Sequence, residues 1–205
     1  DYPEHDFGIG SFTIVAWIKT QMNDFVVREI LDKRDLPFLT PTGYALYLYN
    51  GIFRFQYGDG SGPYHTHVST APSVADGQWH LVAVSACRNP NNPATNVVKL
   101  VVDGYVDTFT GPSIVTGSLS NNAGLVIGDQ CPGFIVGTPF GGAIDDVQLY
   151  KCCLSSAQIF ALHNDLGYCK DLCHLPKILS TPFGSVTSTL TLCNYSVTPQ
   201  TYTWT

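Results

Sequence analysis

Two adjacent carboxylates, Asp145 and Asp146, sit in a run that otherwise reads as a strand, Gly141-Gly142-Ala143-Ile144-Asp145-Asp146-Val147-Gln148-Leu149-Tyr150. Side chains on a strand alternate between faces, so Asp145 shares a face with Ala143, Val147 and Leu149. A carboxylate on an apolar face needs hydrogen bonds or a cation to offset its lost hydration. Asp145 is therefore a candidate metal ligand, with nearby backbone amides as the plainer alternative, and Asp146 is expected to face solvent. His65 and His67 lie two apart and share a strand face, which is half of a zinc site. No third ligand is evident, and ordinary loop histidines beside Tyr64 are the simpler reading. Cys169-Lys170-Asp171-Leu172-Cys173-His174 is one residue longer than the C-x-x-C-H run that attaches c-type haem. Structural disulfides suit it better, with haem c through Cys169, Cys173 and His174 as the lesser alternative.

Hydrolytic chemistry finds little support. Cleaving a glycosidic bond takes two facing carboxyl groups. The chain has two glutamates, Glu4 and Glu29, far apart, and no Asp-x-Asp or Glu-x-Asp pair on a strand. This segment is not expected to be an enzyme. A net charge of −6 with no basic stripe argues against nucleic acid. No apolar run approaches the ~18 residues of a membrane-spanning helix.

The seven cysteines, Cys87, Cys131, Cys152, Cys153, Cys169, Cys173 and Cys193, contain no C-x-x-C pair. That pattern favours disulfides and an extracytoplasmic setting, whether secreted, periplasmic or cell surface. The odd count leaves one thiol over. Pairing cannot be read from spacing, though Cys152 or Cys153 with Cys169 or Cys173 would tie across a C-terminal helix. A vicinal Cys152–Cys153 bond would strain the backbone. Asn194-Tyr195-Ser196 fits a glycosylation acceptor in a secreted eukaryotic protein.

The elements that must position these residues are almost all strands. Phe12 to Lys19 alternates, with Phe12, Ile14, Ala16 and Ile18 on one face. Val26 to Lys33 follows, then Tyr44 to Tyr49, a hairpin turn at Asn50-Gly51, and Ile52 to Tyr57. Trp79 to Ala86, Val97 to Val102, the turn Asp103-Gly104, Tyr105 to Phe109 and Leu125 to Gly128 complete the set. Only Leu154 to His163 reads as helix. It opens with a capping box, Ser155 to Gln158, and a staple of Leu154 onto Ile159. Many hairpin-linked strands and one helix predict an all-β, two-sheet antiparallel jelly-roll sandwich. Between strands, the Asp59-Gly60-Ser61-Gly62 loop and its neighbours Tyr64, His65 and His67 form a candidate ligand-binding loop for sugar or protein. Tyr44, Tyr47, Tyr49, Phe53, Phe55 and Tyr57 alternate, so half of them are core and half line a sheet surface.

Five of these segments, in order, resemble a laminin-G-like domain of the concanavalin A-like lectin/glucanase superfamily, of the kind found in bacterial extracellular multidomain proteins. They are Phe12 to Ile18, Asp76-Gly77-Gln78-Trp79-His80-Leu81-Val82-Ala83-Val84, Val101-Val102-Asp103-Gly104, Leu125 to Gly128, and Gly141 to Tyr150 with its helix. The resemblance implies a sandwich over residues 1–166 and, at Asp145, a structural calcium. Residues 167–177 are expected to be a cysteine-containing linker, and 178–205 the opening strands of a second, immunoglobulin-like β module. The resemblance leaves the function open; the odd cysteine count and the partial second module favour non-catalytic recognition or assembly through contacts with other protein subunits or cell-surface and matrix components. Calcium-assisted carbohydrate binding is the alternative.

Overall fold

The computed structural model describes residues 5–35, 40–111, 115–130 and 139–163. Its strands are β1 (Phe12–Thr20), β2 (Arg28–Asp35), β3 (Thr42–Tyr49), β4 (Ile52–Asp59), β5 (His65–Val68), β6 (Trp79–Cys87), β7 (Val97–Val102), β8 (Tyr105–Thr110), β9 (Val126–Ile127) and β10 (Gly142–Tyr150). They form two antiparallel five-stranded sheets: sheet A in the order β10-β1-β6-β7-β8 and sheet B in the order β5-β4-β3-β2-β9. This is the predicted all-β sandwich. The expected linker and second module, with Cys169, Cys173, His174 and Cys193, lie outside the described residues, as does Cys131.

Alternation explains the core. Phe12, Ile14, Ala16 and Ile18 of β1 pack against Leu46 and Leu48 of β3 and Phe53, Phe55 and Tyr57 of β4, all buried between the sheets. Of the alternating aromatics, Tyr44, Phe53, Phe55 and Tyr57 belong to this core, whereas Tyr47 and Tyr49 take the opposite face of sheet B. The β3–β4 turn has positive φ at both Asn50 and Gly51, 54° and 67°, the left-handed pair that a two-residue hairpin requires.

A second, smaller core covers the outside of sheet A. Val15, Trp17, Leu81, Ala83 and Val101 meet Leu154 and Ile159 of the C-terminal helix, α1, residues 156–163. The expected capping box is present: the Ser155 amide donates to Gln158 Oε1 at 2.9 Å and the Gln158 amide to Ser155 Oγ at 3.3 Å. The chain reaches α1 by crossing the end of β1. Thr13 Oγ1 donates to the Cys152 carbonyl and accepts from the Leu154 amide, and Ser85 Oγ donates to the Leu154 carbonyl.

That crossing corrects the expected pairing for Cys153. Cys153 is bonded to Cys87 at the end of β6, 66 residues away, with 5.1 Å between Cα atoms, and not to Cys169 or Cys173. The crossing over Thr13 and Ser85 carries Cys153 back toward β6 instead of along the helix. Cys152 is disulfide-bonded as well.

The inward placement of Asp145 is also corrected. Val15 pairs with Gln148 and Trp17 with Asp145, so Asp146 and Val147 together stand opposite Ala16. This β-bulge, with Asp146 at φ 48°, inverts the alternation within β10. Ile144, Val147 and Leu149 pack on the core, and Asp145 is exposed. Its Oδ1 accepts from the Asp146 amide at 2.9 Å.

Candidate functional site

The outer face of sheet B carries the densest polar constellation, and β2 builds it. The register slips at Ile30: Glu29 pairs with Tyr47 and Leu31 with Leu46. Ile30 and Leu31 both enter the core, while Glu29, Asp32 and Arg34 emerge together on the outer face. The Arg34 guanidinium donates to Asp32 Oδ1 from Nε (2.8 Å), to Asp32 Oδ2 and Glu29 Oε1 from Nη2 (2.8 and 2.6 Å), and to Gln56 Oε1 from Nη1 (2.5 Å). Gln56 Nε2 passes the chain on to Thr66 Oγ1 of β5 at 3.1 Å. Glu29 and Asp32 are both 0% exposed and Arg34 is 5% exposed, so the three ions act as a buried unit and not as a surface salt bridge.

Two carboxylates share one guanidinium there. Burial pushes the Glu29 carboxyl up to about 7, against the pull of Arg34 and with the repulsion of Asp32. Burial also works against the Arg34 charge, but its bonds to Asp32 and the charge of Glu29 outweigh that and hold it above its ordinary value. Glu29 Oε2 and the neighbouring Gln130 Oε1 have no hydrogen-bond partner among the described residues.

Aromatic rings stand at both ends of this face. Tyr64 lies under Arg34, 5.4 Å from guanidinium to ring centre. At the hairpin end, the Arg54 guanidinium lies 4.7 Å from the centre of the Tyr49 ring, and Phe25 meets Tyr49 edge-on at 5.9 Å. Phe25 is 73% exposed, an unusual place for a large apolar ring. Arg54 Nε is buried and has no hydrogen-bond partner among the described residues.

The four loop residues singled out in the sequence separate in space, and only Tyr64 reaches this face. Asp59 is a loop anchor: Oδ1 accepts from the Ser61 amide and hydroxyl, and Oδ2 from the Gly117 amide at 2.9 Å. His65 and His67 pair with Tyr57 and Phe55, which puts them on the inner side of sheet B. His67 closes the core edge between Tyr57 and Phe109, with ring centres 5.6 and 4.3 Å away, and its Nε2 is 3.1 Å from the Tyr57 hydroxyl. Burial, helped by His65, holds His67 down at about 4. Among the described residues no group of three or more His, Cys, Asp or Glu side chains is arranged to hold a metal ion.

Sequence reasoning missed Glu29, Asp32 and Arg34, because strict alternation puts Glu29 and Arg34 on opposite faces. The available signal was the apolar doublet Ile30-Leu31 inside a charged strand, a break in period that marks a bulge.

Relatives agree with this architecture. Over 165 residues the chain is 23% identical to the adhesion G-protein coupled receptor V1 of Danio rerio, covering 76% of this chain and 2% of that protein's length. The binding domain of Paraclostridial mosquitocidal protein 1 superposes with a TM-score of 0.61 at 13% identity, over 81% of this chain and 40% of that one. The Ruminococcus gnavus IT-sialidase CBM40 bound to alpha2,3 sialyllactose does so with a TM-score of 0.55 at 21% identity, over 76% of this chain and 84% of that one. At these identities the two structures speak for the fold. The family model of the laminin-G type matches residues 1–160, and the chain belongs to the concanavalin A-like lectin/glucanases superfamily.

Proposed function

We propose that this domain is an extracytoplasmic carbohydrate-binding module whose contact surface is the outer face of sheet B. The observation that carries the reading is the buried Glu29–Asp32–Arg34–Gln56–Thr66 network framed by Tyr64 at one end and Tyr49, Arg54 and Phe25 at the other. Sugars present hydroxyls that need fixed donors and acceptors, and apolar ring faces that stack on aromatic side chains. The buried ions fix Gln56 and Thr66, the members of the network that reach solvent, so these supply the first without ordering cost on binding, and the rim rings supply the second. Arg54, partly exposed and stacked on Tyr49, favours a sugar bearing a carboxylate. The sialyllactose bound by the similar sialidase module supports that choice of probe.

Catalysis is not part of the proposal. Glu29, the carboxyl with the raised pKa, is fully buried and bonded to Arg34, out of reach of a substrate oxygen. The test is titration calorimetry and glycan-array binding with sialyllactose and neutral lactose. Saturable binding of sialyllactose that Arg54→Ala and Tyr64→Ala each weaken supports the reading; binding unchanged in both variants overturns it. Repeating the titration in chelator tests calcium assistance.

Assembly with another protein is the second reading. It rests on β8, an edge strand of sheet A among the described residues, where Tyr105 and Val106 are 56% and 38% exposed. Edge strands pair readily with other chains. Concentration-dependent sedimentation that a charged substitution at Val106 abolishes would favour it.

A further inference from the structure

His80, the second residue of β6, is held at both ring nitrogens by carboxylates. Nδ1 is 2.8 Å from Asp103 Oδ2, and Nε2 is 2.9 Å from Asp76 Oδ1. A neutral imidazole has one N–H, so it can donate to only one of them; both bonds together require imidazolium. Asp103 comes from the β7–β8 turn and also accepts the Leu81 amide at 2.9 Å. Its other neighbour is His163 of α1, with Nε2 at 3.9 Å from Oδ1 and the ring stacked on Trp17. Asp103 therefore keeps an amide donor whether or not His80 is charged. Asp76, which is half exposed, also accepts the Gln78 amide at 2.7 Å, but that bond lies within its own loop, so the imidazolium is what links its carboxylate to Asp103 of the turn.

The Asp76 loop leads directly to the binding rim. The Gly77 amide donates to the Thr20 carbonyl at 2.9 Å, and the Val74 amide to the Gly51 carbonyl at 2.9 Å. Packing at Gly51 is so close that a β-carbon there would stand 2.0 Å from Ser73 Oγ. Gly51 and Asn50 form the turn whose next residue back is Tyr49, and the Asn50 amide donates to the Asp24 carbonyl beside Phe25. One short run of contacts thus joins His80 to the Phe25–Tyr49–Arg54 corner.

We propose that His80 is a proton-operated clasp: its imidazolium ties the Asp76 loop to the β7–β8 turn, and through Val74 and Gly51 sets the position of the Tyr49–Arg54 rim. Loss of the proton releases Asp76 and loosens that corner, so ligand is held more tightly in mildly acidic conditions than in alkaline ones. The groups facing His80 are Asp76 from its own loop, Asp103 from the turn and His163 of α1 beyond Asp103. Lys19 of β1, beside the paired Ile18, is exposed. The functional consequence rests on the carbohydrate reading above; the structural clasp does not.

The experiment separates the two. Nitrogen-15 and amide-proton spectra of the domain are recorded between about pH 5 and pH 8, the range over which histidine ordinarily changes charge. The expected result is a His80 ring that carries both protons at the acid end, with the Val74, Gly51 and Asn50 amides shifting at the same midpoint. In Asp76→Asn the ring still titrates and those amides no longer follow it. Hairpin amides that stay still while His80 titrates, or a His80 ring with one proton throughout, overturn the clasp. Sialyllactose affinity measured across the same range should fall about fivefold through the midpoint, and His80→Gln should flatten it. No sialyllactose binding at any pH sinks the carbohydrate reading and leaves the spectra to judge the clasp; binding that is flat with pH in the unaltered domain overturns the coupling.

Discussion

Arg34 Nη2 donates to Glu29 Oε1 at 2.6 Å although five positions separate them on one strand. An odd separation puts two residues on opposite faces of a regular strand. The extra residue at Ile30 removes that opposition and makes the buried ion cluster possible. Removing the cation should then be severe. Arg34→Met leaves two carboxylates buried without it, and we expect a loss of about 3–5 kcal/mol in urea denaturation at neutral pH. The triple variant Glu29→Gln, Asp32→Asn, Arg34→Met should lose less than the single one. A smaller loss in the single variant would mean that the cluster is solvated.

Glu29 and His67 set opposite pH dependences in overlapping windows. Glu29 titrates near 7 in the folded domain and near 4.5 unfolded, so its stabilising protonation is complete below 4.5 and lost as pH rises through 7. His67 titrates near 4 folded against 6.5 unfolded, so its contribution is complete above 6.5 and lost as pH falls toward 4. Relative to the unaltered domain, Glu29→Gln should gain on the order of 2 kcal/mol as pH is raised from 4.5 to 7. His67→Gln should gain as pH is lowered over the His67 window. Chemical denaturation at several pH values gives both differences, and equal pH slopes in all three proteins would refute the assignments.

The Cys87–Cys153 bond closes a separation of 66 residues and pins the crossing that precedes α1. Losing it through Cys87→Ser with Cys153→Ser should cost about 2–4 kcal/mol. Because Leu154 and Ile159 still pack on Trp17 and Leu81, the sandwich should fold without it. Limited proteolysis should then cut first around residues 152–163, ahead of any site in β1 or β6.

Two glycines should respond in opposite ways to alanine. Gly43 has φ 118°, and a β-carbon there would stand 2.0 Å from the backbone carbonyl oxygen of Lys33 on the paired strand. Gly43→Ala must spread β2 from β3 beneath the polar network, and we expect either no soluble protein or a loss above about 3 kcal/mol. Gly62 has nothing within 4 Å and no positive φ, so Gly62→Ala should stay within about 0.5 kcal/mol of the original. Thermal melts of the pair check the contrast.

Local chemistry alone determined much of this protein. The alternation of Phe12, Ile14, Ala16 and Ile18, the left-handed Asn50-Gly51 turn and the Ser155–Gln158 cap each follow from residues within a few positions of one another, and each is present. Tertiary structure decided what two bulges changed. At Ile30 it gathered Glu29, Asp32 and Arg34 into one buried cluster, and at Asp146 it turned Asp145 outward. It also chose Cys87 for Cys153 and sent His65 and His67 to the inner side of sheet B. The physical reason is that strand periodicity is a property of the segment, whereas a one-residue slip is settled by the register with its neighbours, and every side chain beyond the slip changes face.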